Sequence, residues 1–383
     1  FLYLPMFVCG FWSLTFLLDM PSGNRPRVML GTFMLAGFFI YLAHTAFFSF
    51  QYRLFPYLDP LYAFSCLAIF PLFYLYVSLL AVDIRFPWAK LCTLAPALLL
   101  GLTSALLIMA MSPDEEHQYL RVSILGETPR EALAPLVEWK MLASKINKLV
   151  FGLQIVPYTW LSTRIIRTYR RQLSNFFADT EGRTLRQIRL VLLCVLALSV
   201  SSLLVNVIGR DYFVYRKLWH SLSSLTFSTC FFTIGWIGSR QNYSIEDFCR
   251  EATCVPDEHP EPTAPAHDNS SELKARLLHT LGKEQIYRRP DLRITDLAPL
   301  LHTNRTYLSR VINRDLNTSF ADLINKHRVE YAKGLLSDKR NQQYGLNYIA
   351  DQSGFASLNS FLRAFKKMEN TTPARFRQRV MQQ

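Results

Sequence analysis

Over the first 240 residues, long runs without a charge alternate with short charged segments; after that the pattern changes completely. Residues 28–50, 61–82, 91–111, 190–209 and 218–239 each hold 20 or more consecutive residues free of Asp, Glu, Lys and Arg. About 20 apolar residues suffice for a helix to cross roughly 30 Å of hydrocarbon, so these five runs predict transmembrane helices. Residues 1–18 (FLYLPMFVCGFWSLTFLL) predict a sixth, and they read as a retained span because the basic start of a signal peptide is missing. The remaining span is shorter. Residues 149–163 are uncharged, and Lys145, Lys148 and Arg164 can snorkel at its ends, which predicts a helix over 143–165.

From residue 271 onward the apolar positions recur at helical spacing in short segments, with Ser, Thr and Asn at candidate N-caps. Between the two regimes, residues 240–270 contain Pro256, Pro260, Pro262 and Pro265, many acids and little apolar content after Phe248. That composition predicts a flexible linker. The chain is therefore expected to be all-α: a seven-helix membrane bundle over 1–239, the linker, and a soluble helical domain over 271–383.

Charge adds direction to this picture. The chain of 383 residues carries a formal +13. Residues 271–383 hold 20 Lys and Arg against 10 Asp and Glu, while the first 270 residues hold 22 against 19. A soluble basic domain behind a nearly neutral bundle points to nucleic acid or another anionic surface as partner. The loop after the fifth span contains Arg164, Arg167, Arg170, Arg171, Arg183, Arg186 and Arg189, whereas the loop before it carries six acids and three bases. The positive-inside rule places the first loop in the cytoplasm and the second outside, which puts the amino terminus outside and the carboxyl terminus inside. Arg210, Arg216 and Lys217, in a short outer loop, run against that rule.

The soluble domain repeats itself. A shift of 53 residues lays SRVINRDLNTSFADL (309–323) on LRAFKKMENTTPARF (362–376), matching Arg310 with Arg363, Ile312 with Phe365 and Asn317 with Asn370. Upstream, DLAPLLHTNRTYL (296–308) is similar to YIADQSGFASLNSFL (348–362) with one extra residue in the second turn. Each copy reads as a short helix, a tight turn and a second helix. In the first copy Asn304 caps a helix with Leu308, Val311 and Ile312 inward and Arg305, Thr306, Ser309, Arg310 and Asn313 outward. In the second, Ser357 is the cap, Phe361 and Phe365 face inward, and Leu358, Asn359, Leu362, Arg363 and Lys366 face out. Such faces suit the major groove of double-stranded DNA: Arg can bond guanine, Asn can bond adenine, and a Leu or Thr methyl can pack on thymine. Gly354 in the turn lets the two helices cross steeply.

Together these segments, with the connecting helix from about Phe320 to Leu336 and the stretch YIADQSGFASLNSFLRAFKKMENTTPARFR, resemble the DNA-binding domain of AraC/XylS-type transcription regulators over about residues 272–380. The resemblance implies two recognition helices entering successive major grooves on one face of DNA. It assigns base contacts to Thr306, Ser309 and Arg310 and to Leu358, Asn359 and Arg363. Arg305, Asn313, Lys366, Lys367 and Arg375 are expected on phosphates, which give affinity without specificity. Where the family carries Gly before its Thr-Pro, this chain has Asn370, which tolerates the left-handed conformation.

No phosphate-binding loop, zinc-binding His-Glu-x-x-His or nucleophile elbow occurs, so neither an enzyme nor a cofactor is expected. Cys249 and Cys254 have no partnering pair and suggest no metal. In the bundle, His44, Gln154, Asn206 and His220 are polar groups at membrane depth and the candidates for sensing an unknown signal. The expected function is a membrane-embedded transcription regulator, with a homodimer formed through the bundle as a further expectation. The competing reading is a transporter or receptor whose basic tail binds anionic lipid or a partner protein.

Overall fold

The computed structural model of the protein describes residues 2–19, 24–49, 51–81, 88–124, 132–179, 186–208, 217–240 and 270–382. Among these residues the chain is helical, with no β-strand and one isolated bridge, Phe177 to Arg293. Most of the expected linker, 241–269, lies outside the described residues. The chain divides into two units, Phe1–Ile166 with Leu185–Phe248, and Arg167–Thr184 with Cys249–Gln383.

The first unit contains α1 (Leu4–Leu18), α2 (Arg25–Phe48), α3 (Phe55–Ala81), α4 (Ala95–Ala110), α5 (Pro113–Tyr119), most of α6 (Pro135–Phe176), α7 (Arg186–Ile208) and α8 (Lys217–Ser239). α3 is its most buried long helix and packs between α2 and α4, while α1 packs on α2 and α8. The α1–α8 contact is close because Gly235 leaves room for the indole of Trp12, which any Cβ there would overlap. Four helical stretches among the described residues are long and apolar enough to cross a membrane: Arg25–Phe48, Phe55–Ala81, Trp88–Ala110 and Pro135–Phe176. The apolar helices at Leu4–Leu18 and Arg189–Val205 are shorter.

Two helices of this unit expose rows of large apolar side chains. Leu99, Leu102, Leu106 and Met109 on α4 are 60–82% exposed, and so are Leu149, Leu153, Val156 and Trp160 on α6 at 60–74%. Each set follows one face of its helix. Contiguous patches of this kind are rare on proteins surrounded by water.

α6 runs for 42 residues and contains the whole of the expected span 143–165, extending beyond it at both ends. Its start moves upstream because Lys140 is buried in an ion pair with Asp59, and its end moves downstream through RIIRTYRRQLSNF, which is rich in good helix formers. Pro96 sits in the first turn of α4, where its missing N–H has no helical partner to lose, and Pro71 and Pro157 lie inside helices.

The second unit is built around α9 (Ser270–Glu284), α10 (Ile294–Leu300), α11 (Arg305–Arg310), α12 (Phe320–Ser337), α13 (Leu346–Gln352), α14 (Leu358–Glu369) and α15 (Pro373–Met381). α11 continues as a π-helical turn over Val311–Asp315. The caps are those expected: Asn304 accepts from Tyr307 N at 2.8 Å and Ser357 from Ser360 N at 3.1 Å. Asn317 and Asn370, aligned by the 53-residue repeat, both adopt left-handed backbone, at φ 48° and 54°. The two helix-turn-helix corners are likewise left-handed, at His302 (φ 50°) and Gly354 (φ 84°).

The core of the second copy gathers Val329, Ala332 and Leu336 of α12 with Ile349, Phe355, Phe361, Phe365 and Phe376. Arg328, fully buried on α12, donates from Nε to Tyr287 O at 2.6 Å and from Nη2 to Arg289 O at 2.7 Å. It thereby ties the connecting helix to the segment entering the first copy. Burial lowers its pKa to about 10, against which Asp179 and Asp291 act, so it stays charged at neutral pH.

Gly354 has a second reason to be glycine besides its φ. A Cβ there would overlap the backbone of Arg288, whose side chain is anchored from Nε to Gln352 O at 2.9 Å. Gly354→Ala is therefore expected to destabilise the domain by about 2–4 kcal/mol, since strain and a rigid clash add. Thermal melting of the variant against the parent chain checks this.

Candidate nucleic-acid interface

The two recognition helices are rotated by their own apolar residues. Leu308, Val311 and Ile312 are at most 1% exposed, which pins one face of α11 and its π-helical turn to the core. Thr306 and Arg310 are left exposed and Ser309 half-buried. On α14, Phe361 and Phe365 are fully buried while Asn359 and Arg363 are exposed. Leu358 is half-buried and packs on the edge of the core. A side chain at one register of the repeat thus projects outward in both copies, as Arg310 and Arg363 do.

The expected phosphate contacts differ in how they are held. Lys366 and Arg375 are exposed. Lys367 pairs with Asp322 at 2.6 Å, an exposed ion pair that is cheap to exchange for phosphate. Asn313 Nδ2 donates to Ser309 Oγ at 3.1 Å, so these two polar side chains act as one unit. Arg305 is half-buried, with its guanidinium over the ring of Phe176 at 5.8 Å. Arg363 Nε donates to Asn359 O at 3.2 Å, which steers its guanidinium along the helix face.

α14 is also braced from behind. Lys333 of α12 bridges Glu330 at 3.1 Å and Glu369 at 2.9 Å, and the Glu369 hydrogen bond raises the pKa of its amine. The exposed face of α14 thus carries Arg363, Lys366 and Lys367, the last of them paired with Asp322.

One contact in this unit was not foreseen from the sequence. Phe176, Phe177 and Ala178, at and just beyond the end of α6, are buried and contact the first copy and the segment leading into it. Ala178 N donates to Leu292 O at 3.0 Å, and the Arg293 guanidinium lies over Phe177 at 5.7 Å. The signal available was the aromatic pair in RRQLSNFF, two large apolar residues a little over one turn after a basic stretch.

Of the sensing candidates, His44 is half-buried on α2, its ring against Tyr41 at 5.6 Å and Tyr62 at 5.4 Å. Gln154 is buried on α6 and its Oε1 has no hydrogen-bond partner. The side chains of Asn206 and His220 fall outside those described. Among the described residues no group of three or more His, Cys, Asp or Glu is placed to hold a metal ion.

Comparison with known proteins bears on the second unit. Residues 297–379 match the family model described as a helix-turn-helix domain. The chain is 30% identical over 88 residues to YtdP, an uncharacterized HTH-type transcriptional regulator of Bacillus subtilis, which is 23% of this chain and 11% of that protein. It is 28% identical over 89 residues to the Msm operon regulatory protein of Streptococcus mutans, 23% of this chain and 31% of that one. An uncharacterized HTH-type transcriptional regulator of Staphylococcus aureus is 29% identical over 93 residues, 24% of this chain and 12% of its own length. The chain thus matches less than a third of the length of each of these relatives, and no solved structure matches it. Residues 297–379 thus form a helix-turn-helix domain similar to those of HTH-type transcriptional regulators.

Proposed function

We propose that the protein is a membrane-embedded, sequence-specific transcription regulator whose N-terminal bundle senses a signal and biases the DNA-binding domain. The observation that carries the DNA-binding part is the pair of capped helices presenting Arg310 and Arg363 at one register of a repeat. Thr306, Ser309 and Asn359 complete the base-reading set, with Leu358 at its edge. A basic tail that gripped anionic lipid would need neither the caps nor the paired turns.

The exposed apolar rows of α4 and α6 support placement in a bilayer. The bundle is assigned seven spans over 1–239, with the amino terminus outside and the DNA-binding domain in the cytoplasm, on the strength of the loop charges. The seating of Phe176–Ala178 on the first copy gives the sensing role a physical route. A signal shifts the DNA-binding domain only if the bundle has two states that the signal binds with different affinity, and a helix end packed beside Arg305 is placed to report the state. A homodimer through the bundle belongs to the same proposal.

The test uses the full chain in lipid nanodiscs with a preferred DNA fragment and a scrambled one, titrated with salt. Arg310→Ala and Arg363→Ala are each expected to weaken binding to the preferred site by about 1–3 kcal/mol, with little change on scrambled DNA. Equal retention of both fragments, untouched by either substitution, would overturn the reading.

A further inference from the structure

Two stacks of arginine on tryptophan mark the surface of the first unit. Arg164 lies over the ring of Trp160 on α6 at 5.5 Å, and Arg240 lies over Trp236 at the end of α8 at 4.2 Å. Both rings are on the surface, 60% and 46% exposed, and each arginine follows its tryptophan by four residues. An exposed indole under a guanidinium suits the boundary between hydrocarbon and headgroups, where one end of the pair is apolar and the other wet. Under the loop-charge assignment both stacks lie at the cytoplasmic ends of their spans.

α6 does not stop at its stack. Its uncharged run ends at Thr163, and the helix continues to Phe176. Arg167, Arg170 and Arg171 are exposed on the continuation, three, six and seven residues past Arg164. At a rise of 1.5 Å per residue they sit about 5–10 Å beyond it along the axis. The polar zone of a leaflet is about 5–8 Å deep, and an arginine reaches back along its own stem, so all three guanidinium groups fall among the headgroups. Tyr169 and Leu173 are buried on the same turns. The three arginines share the remaining face, within an arc of about 100°, and no Asp or Glu occurs between Glu138 and Asp179.

We infer that this arginine face binds the headgroups of anionic phospholipids in the cytoplasmic leaflet. The inference rests on the reading of the bundle as membrane-embedded. A guanidinium takes a phosphate with two hydrogen bonds. In a zwitterionic lipid the ammonium of the same headgroup opposes that attraction, and in an anionic lipid nothing does. DNA is the other polyanion expected near the domain, but to touch Arg167 it has to lie flush with an anionic surface that repels it. A lipid held here anchors the turn of α6 that leads to Phe176 and its contact with Arg305.

The experiment places the full chain in nanodiscs of equal phosphatidylglycerol and phosphatidylcholine and counts the lipids that stay bound on release by native mass spectrometry. The parent chain is expected to retain phosphatidylglycerol over phosphatidylcholine by about fivefold, and the Arg167→Gln, Arg170→Gln, Arg171→Gln triple variant by about twofold or less. A control with the same loss of charge, Lys326→Gln, Lys339→Gln, Arg340→Gln on exposed positions of the DNA-binding domain, should keep the parent ratio. Each single arginine variant should lower the ratio in part, which keeps the test decisive if the triple variant melts early. An unchanged ratio in the folded triple variant, or an equal fall in the control, overturns the site. An unchanged ratio joined to a weaker salt dependence of DNA binding, in nanodiscs of phosphatidylcholine alone, overturns it in favour of DNA as the partner. Alkaline carbonate extraction tests the reading beneath: release of the parent chain from membranes sinks membrane embedding itself, whereas a chain that stays in the membrane without lipid preference loses only this site.

Discussion

Arg328→Met is expected to lower the stability of the DNA-binding domain by about 3–5 kcal/mol, the range for stripping one partner from a buried charged network. Met fills much of the volume, so the loss comes from polar groups. The carbonyls of Tyr287 and Arg289, bonded at 2.6 and 2.7 Å, are left without donors inside the protein, and each unmade bond costs about 1–3 kcal/mol. The stacking of the guanidinium over Phe355 at 5.5 Å is lost as well. Removing a buried charge recovers some desolvation energy, which keeps the total below the plain sum. Arg328→Lys rescues little, because one ammonium cannot reproduce the guanidinium fork. Hydrogen exchange of the full chain, followed on peptides covering 286–300 and 320–337, should show faster exchange in both. Unchanged protection there would mean that Arg328 is not the tie described.

Phe361→Ala is expected to cost a similar amount, about 3–5 kcal/mol, by a different route. The ring is fully buried and touches Phe355 at 5.3 Å and Phe365 at 5.6 Å, in a chain of aromatics that continues to Phe376. Truncation leaves a cavity at the centre of the second copy. Against a typical domain stability of about 5–15 kcal/mol, that loosens α14 and should abolish binding by the second recognition helix, although no outward-facing side chain has changed. Arg363→Ala is the complementary case, since it removes an exposed group and should weaken DNA binding with melting unaltered. Urea unfolding separates the two: the midpoint falls for Phe361→Ala and stays for Arg363→Ala.

The DNA-binding domain was largely legible in the sequence because its constraints are local. Caps at Asn304 and Ser357, the inward Leu308, Phe361 and Phe365, and the left-handed Asn370 are each set by residues within a turn or two. The connecting helix, expected over about Phe320–Leu336, runs to Ser337. Arg328 was not legible, since an arginine in a polar helix reads as solvated until the tertiary fold brings three backbone carbonyls around it.

The bundle was less legible for the same reason. Asp59 and Lys140 precede the uncharged runs at 61–82 and 149–163, so they read as loop residues, yet they lie inside α3 and α6 and are buried against each other. A stripe at Lys140, Ser144, Asn147, Phe151 and Gln154, spaced four, three, four and three, was present in the sequence. It shows that Gln154, already a candidate, sits on the face of α6 that carries the buried pair. The aromatic pair Phe176 and Phe177 marks a buried spot, but its partner, the first helix-turn-helix copy, is not legible in the sequence because the contact joins segments more than a hundred residues apart.

The most direct test of the central claim is selection of DNA from a random library by the full chain held in nanodiscs. Two recognition helices on one DNA face predict enrichment of a bipartite motif with half-sites about one helical turn, roughly 10 base pairs, apart. Arg310→Ala should blur one half and Arg363→Ala the other. Failure to enrich any motif, with retention that depends on salt and not on sequence, would contradict the account.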